Sequence, residues 1–217
     1  MKKRDTLFNV AYLVLIYCSY SQITQLELAT GIDKTDFTSI SFRPLDQNST
    51  FTINTLAFFQ KFHRSEEIRY DETGVQTTLY WNADNAISIG PSLYYNSVTG
   101  FTERLSVLYA IRSTHFILNA IPTISHAEET GFINGELFLQ LQLTHPVKQD
   151  FNLLFSVQMF SHWEQFNIHT RSFQQIRMGL DKRATQYGLA IDYDQFGEAP
   201  TTIAMMGVFI RKIFQNN

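Results

Sequence analysis

From Val75 onward the chain alternates. Val75, Thr77, Leu79 and Trp81 take turns with Gln76, Thr78, Tyr80 and Asn82, and because successive side chains of a strand leave opposite faces, the two sets lie on opposite sides of it. The period recurs along the chain. Ile87, Ile89, Leu93 and Tyr95 oppose Ser88, Gly90, Ser92 and Tyr94; Leu105, Val107, Tyr109 and Ile111 oppose Arg104, Ser106 and Arg112. Further on, Leu137, Leu139, Leu141 and Leu143 oppose Glu136, Gln140 and Gln142; Phe155, Val157 and Met159 oppose Ser156 and Gln158; Leu189, Ile191 and Tyr193 oppose Gln186, Asp192 and Asp194. Turn-forming clusters at 82–85, 96–100, 126–131, 145–150 and 181–183 separate these runs.

The rhythm predicts about twelve strands, at 23–30, 36–45, 50–62, 72–82, 85–96, 99–111, 114–124, 132–145, 149–161, 170–181, 184–195 and 201–214. The first two alternate poorly, so ten strands is the alternative. Either number is even, as a barrel with both termini on one side requires. The spacing suits membrane-crossing strands of roughly 9 to 11 residues with short turns. The predicted fold is all-β: a closed antiparallel transmembrane barrel over 22–217, preceded by a signal peptide over 1–21.

The leader reading rests on Met1-Lys2-Lys3-Arg4, the mostly apolar stretch Leu7 to Tyr17, and small residues at Ser19 and Ser21, so that cleavage after Ser21 leaves Gln22 first. The apolar run is shorter than the ~20 residues a helical anchor needs. The only cysteine, Cys18, follows Ile16-Tyr17, whereas a lipid-attachment site wants a small residue there. With the leader gone, the rest of the chain has no cysteine and no disulfide framework. The whole chain is mildly acidic, 17 basic against 20 acidic residues, and losing Lys2, Lys3 and Arg4 with only Asp5 makes it more so. Nucleic acid, which demands clustered Lys and Arg, is excluded as a partner.

Connection lengths assign sides. Counting back from the C-terminus, the turns at Asp181, His145, Arg112 and Asn82 fall together and are short; opposite them Phe62 to Asp71, Ser125 to Gly131 and His162 to Thr170 are longer and more charged, as outside loops are. Aromatic residues mark both ends: Trp81, Tyr109, Phe151, Tyr187 and Phe214 on the periplasmic side, and Tyr94, Tyr95, Phe101, Phe132, Trp163, Tyr193 and Phe196 on the outer side. A soluble β-sandwich would alternate too, but it would not need aromatics at strand ends. Near mid-depth Val107, Leu139, Leu141, Phe155, Val157 and Leu189 should meet lipid, with Ser106, Gln140 and Ser156 inward. Pro91 and Pro122 fall inside strands, where a bulge or a shortened strand is expected. Lys212 shares a face with Val208, Ile210 and Phe214 and is placed to snorkel at the rim.

Gly207 to Phe214 looks like the terminal strand by which outer-membrane proteins are recognised for insertion, although Gln215-Asn216-Asn217 follow the aromatic residue. With the Lys-Lys start and Gln22 after the cut, the chain resembles the small outer-membrane β-barrels of Bacteroidota. The resemblance implies a cell outer-membrane location, contact with lipid and lipopolysaccharide, and handling by the barrel-insertion machinery. It implies no functional residues.

No phosphate loop, zinc-binding helix, Cys-x-x-Cys pair or nucleophile elbow is present, so no cofactor or metal is expected. The inward set, Arg104, Arg112, His115, Asn119, Glu136, Gln140, Gln158, Arg177, Gln186 and Asp192, should line the lumen, either as a narrow aqueous path or as a plug of mutually paired side chains. A non-enzymatic barrel, serving as a narrow channel or a structural or surface-binding protein, is therefore the leading expectation. The alternative is a lipid or lipopolysaccharide hydrolase, with Ser125 or Ser161 as nucleophile and His126, His162 or His169 as base, since these cluster in adjacent predicted outer loops. Asp192, Asp194 and Glu198 form an acidic group that could hold calcium; a solvated outer loop is the plainer expectation for them.

Overall fold

The structure is a computed structural model that describes residues 22–63 and 71–216; the predicted signal peptide lies outside the described residues. Twelve antiparallel strands close into one ring in sequence order: β1 Gln22–Gly31, β2 Lys34–Pro44, β3 Phe51–Phe62, β4 Glu72–Asn82, β5 Ile87–Asn96, β6 Gly100–Arg112, β7 Phe116–Ala127, β8 Ile133–Lys148, β9 Phe151–Glu164, β10 Ile168–Lys182, β11 Thr185–Phe196 and β12 Thr201–Asn216. Closure comes from β1 against β12, running from Gln22↔Asn216 to Gly31↔Gly207. The ring leaves no sheet edge, so apart from the positions beside Pro91 and Pro122 and two register shifts each strand is paired on both sides.

The apolar phase of the alternation faces out. Val107, Phe155 and Leu189 are exposed on the outer surface, and Ser106 and Ser156 are buried on the inner one. Leu139, Leu141 and Val157 share the outward phase through the pairs Leu118↔Leu141↔Val157 and Ala120↔Leu139. Trp81, Tyr109, Tyr187 and Phe214 stand exposed near the end that carries both termini; Tyr95, Phe101, Phe132 and Tyr193 stand near the far end. Tyr94, expected in the outer girdle, points inward, because it shares the inward phase of β5 and lies under the Arg104 guanidinium at 3.7 Å.

The strands run further than expected at the far end. Ser125 to Gly131 is strand to Ala127, and His162 to Thr170 is strand except for 165–167. The expected long loops there are short turns; cross-strand pairing outlasts the sequence cues for a turn. The two prolines also behave differently from expectation. β5 and β7 are continuous, and the register is the same on both sides of each proline: Thr78↔Ser92 and Trp81↔Ile89 flank Pro91, Ser106↔Thr123 and Tyr109↔Ala120 flank Pro122. A missing N–H removes a bond to one neighbour only, and Pro91 still pairs with Leu105 and Pro122 with Leu137 on the other side. The register shifts occur instead at His169/Arg171 and at Pro146/Lys148.

Turns at the terminal end are built from local chemistry. Arg183 and Ala184 both take positive φ (50° and 62°) in the two-residue link of β10 to β11, the hand that matches strand twist. Asp46 closes the β2–β3 turn by accepting from the backbone N–H groups of Phe51 (2.8 Å), Thr50 (3.0 Å) and Asn48 (3.0 Å). Those N–H donors, Phe51's foremost, hold its carboxyl below the usual range. Lys212 reaches the same rim and donates to Thr185 Oγ1 at 2.8 Å.

Candidate functional site

The inward phase does not make a uniformly polar lumen. On the arc from β10 through β12 to β2 the side chains form a buried ion-pair network. Glu27 accepts from Arg177 Nε at 2.9 Å and from Arg211 Nε at 2.7 Å. Arg177 reaches Asp192 at 2.5 Å, and Lys34 lies 2.9 Å from Asp36, 3.0 Å from Asp194 and 3.3 Å from Asp192. Arg211 also donates to Gln142 (3.2 Å) and Gln186 (3.0 Å). The Phe209 ring lies between the Arg177 and Arg211 guanidiniums, 5.9 and 5.7 Å away. Buried charge is tolerated here because each ion faces an opposite charge and most add hydrogen bonds; the two carboxylate oxygens of Asp36 have only the Lys34 charge. This side of the barrel is filled.

Beside it remains a cavity of about 330 Å³. Ile40, Phe42, Leu56 and Phe58 line it from β2 and β3, and Ile121, Phe138, Phe160 and Phe173 from β7 to β10. Phe160 and Phe173 stack with centroids 5.3 Å apart. Polar groups sit around this apolar middle: Asn119 donates to Gln140 at 2.7 Å, and Ser106 and Thr123 share a 2.8 Å hydrogen bond.

Toward the far end lie two further ion pairs, one across the space and one along a wall. Arg171 Nη1 meets both carboxylate oxygens of Glu72 at 2.7 and 2.8 Å, and Arg104 lies 3.1 Å from Glu136 while donating to Gln76 at 2.6 Å. Asn96 adds a 2.5 Å bond to Glu72. β4 and β10 are six strands apart in a ring of twelve, so the Glu72–Arg171 pair joins opposite walls and shows the barrel to be flattened where it forms.

Arg104, Arg112, Asn119, Glu136, Gln140 and Gln158, expected in the lumen, line the cavity. Arg177, Gln186 and Asp192 lie within the packed network and do not line the cavity. His115 lies exposed in the turn after β6, beyond the strand wall. The acidic group is divided: Asp192 and Asp194 are buried in the barrel against Lys34, and only Glu198 is in a solvated turn. Among the described residues no group of three His, Cys, Asp or Glu side chains is arranged to hold a metal. Glu27, Lys34, Asp36, Glu72, Arg171 and Arg211 were not singled out by sequence, nor were the lumenal phenylalanines; Asp194 was noted only as a member of the acidic group. Strand phase alone would have found Phe138 and Phe160, which fall on the polar side of their own alternation.

The serine and histidine pairs separate for the same reason. Ser125 is buried inward while His126 points out, 3.5 Å from Glu103; Ser161 points out while His162 points in and bonds Thr170 Oγ1 at 2.5 Å. Neighbours on a strand cannot meet across its two faces. His169 instead reaches Ser172, Nε2 to Oγ 3.2 Å, with Nδ1 3.1 Å from the Gly197 carbonyl. The carbonyl can only accept, so Nδ1 carries a proton, and in the neutral ring Nε2 is free to accept from the hydroxyl. Ser172 is 7% exposed, and Gln195 Oε1, also at 3.2 Å, competes for its proton.

No family model and no curated protein matches the chain. Solved structures similar to it include the NanC porin (9% identity, TM-score 0.49, covering 88% of this chain and 98% of that one). LpxR from Salmonella typhimurium is similar at 9% identity and TM-score 0.47, covering 90% and 100%. An outer membrane channel from Pseudomonas putida F1 is similar at 10% identity and TM-score 0.44, covering 89% and 94%. The likeness concerns barrel form and extends to no site or activity.

Proposed function

We propose that the chain is an outer-membrane barrel, with both termini on the periplasmic side, whose lumen is a narrow solute path barred toward the outside. The membrane reading is supported by the outward apolar surface, far larger than a soluble monomer exposes, on a ring with no free edge. Lipid and lipopolysaccharide are then its surroundings, and the β12 strand is the segment the insertion machinery would read. The observation that carries the path reading is the open cavity beside the filled arc, crossed at its far end by Glu72–Arg171. Purified protein in a planar bilayer tests it: a small, reproducible unitary current is expected, and a sealed barrel under all applied voltages would leave only a structural or surface-binding role.

A second reading, favoured by one contact, is an acyl hydrolase in which Ser172 attacks an ester carbonyl while His169 Nε2 takes its proton and passes it to the departing alcohol as the ester C–O bond breaks, water then hydrolysing the acyl-serine. The pair faces outward near the far rim, where a lipid ester can approach. Labelling by a fluorophosphonate probe, lost in Ser172→Ala and in His169→Ala, is the expected result; an unlabelled wild-type protein disposes of the reading.

A further inference from the structure

The four cations that line the cavity are not equivalent. Lys34, Arg104 and Arg171 each have a carboxylate partner, at 2.9, 3.1 and 2.7 Å. Arg112 has none among the described residues. It ends β6 at the terminal mouth, with its guanidinium over the Phe42 ring, 5.5 Å from the centroid. Behind that charge an apolar stretch of wall, set among amides such as Asn119, Gln140 and Gln158, leads to the far end, where Glu72–Arg171 crosses the lumen and Arg104–Glu136 ties β6 to β8 along one wall. From the terminal mouth inward, the lumen therefore presents one uncompensated positive charge, then hydrocarbon and phenyl surface, then a barrier.

That order selects a ligand. A cationic solute meets Arg112 first and is repelled. A molecule with hydroxyls all round would find partners at the amides but lose water against the phenylalanine rings that line the rest of the wall. A small acid with one apolar body satisfies both parts: its carboxylate neutralises the guanidinium in a charge-assisted hydrogen bond, and its body removes apolar surface from water. The cavity, about 330 Å³, is at the size where such sites begin. We propose that the lumen binds an amphipathic monoacid, its carboxylate on Arg112 and its alkyl or aryl body along the phenylalanine-lined walls. The inference rests on the lumen being a solute path.

The test uses the full barrel in phosphatidylcholine nanodiscs, with octanoate and its neutral analogue octanol titrated calorimetrically and empty discs subtracted. Octanoate is expected to bind saturably. Arg112→Gln should weaken octanoate by roughly tenfold or more, the loss of one hydrogen bond to a charged group, and leave octanol within about twofold. Phe160→Ala should weaken both. Heat-modifiable migration on gels confirms that each variant is folded. The inference is overturned if octanoate shows no saturable binding above empty discs, if Arg112→Gln leaves it unchanged, or if octanol falls equally and the side chain is mere packing. Bilayer currents are read on the same preparations. Current without octanoate binding removes only this ligand, and octanoate binding without current removes only the conducting role.

Discussion

Glu72, the first residue of β4, and Arg171, on β10, come from opposite sides of the ring, yet their side chains meet with both carboxylate oxygens within 2.8 Å of one guanidinium nitrogen. A contact between walls six strands apart narrows the lumen, with no inserted plug segment among the described residues. Replacing Glu72 by Gln keeps the shape and removes the charge. The expected outcome is a higher unitary conductance than wild type in a planar bilayer, with folding unchanged. An unaltered current would mean that the narrowest point lies elsewhere.

The network on the filled arc gives the opposite kind of prediction. Glu27 holds two guanidiniums, those of Arg177 and Arg211, both nearly inaccessible to solvent. Glu27→Ala leaves Arg211 with no carboxylate and Arg177 with Asp192 alone, and should lower stability by about 3 to 5 kcal/mol, the usual result of removing one partner of a buried pair. Denaturant unfolding in lipid vesicles measures it.

The outward band is tested by neighbouring residues. Leu141 pairs with Leu118 and Val157 on the outer face, whereas Gln140 lines the cavity. Leu141→Arg should cost roughly 2 to 4 kcal/mol, as a charge near the bilayer midplane does. Gln140→Arg should cost much less, because the side chain stays in the lumen. Equal costs in the same unfolding assay would contradict the assigned faces.

Gly179 and Gly188 lie directly opposite each other on β10 and β11. A Cβ on Gly188 would stand 2.1 Å from the Met178 carbonyl oxygen and 2.5 Å from the Gly179 Cα, so neither strand can yield without moving the other. Gly188→Ala should therefore destabilise by about 1 to 3 kcal/mol, visible as a lower unfolding midpoint.

The β2–β3 turn should depend on pH. Asp46 titrates below its unfolded value because three backbone N–H groups favour the carboxylate. Its contribution is thus complete above the unfolded carboxyl pKa of about 4 and is lost as pH falls through the lower folded value. Amide exchange at Thr50 and Phe51, corrected for intrinsic rates, should stay protected at neutral pH and lose protection only in strong acid. In Asp46→Ala that protection should be missing at every pH.

Much of this architecture was legible residue by residue. The outward placement of Val107 and Leu189 and the inward placement of Ser106 and Arg104 follow from period two. The first strands were hard to read because the lumen beside them is itself apolar: Ile40 and Phe42 face inward while Phe37 faces outward, so hydrophobicity no longer distinguishes the faces. Ser172 escaped notice for a different reason. The register shift between His169 and Arg171 puts two residues three apart on one face, where unbroken alternation would part them.

The sequence by itself determined the all-β barrel form and the direction of most side chains, because alternation is local and burial of one face imposes it on nearly every strand; twelve strands rather than ten was decided by the closed ring. Tertiary structure alone decided which inward groups meet. Glu27 finds Arg211 across 184 positions of chain, and Glu72 finds Arg171 across 99. Such partnerships are set by ring closure, register and flattening, which no local pattern encodes, and they determine which part of the interior is filled and which is left as a cavity.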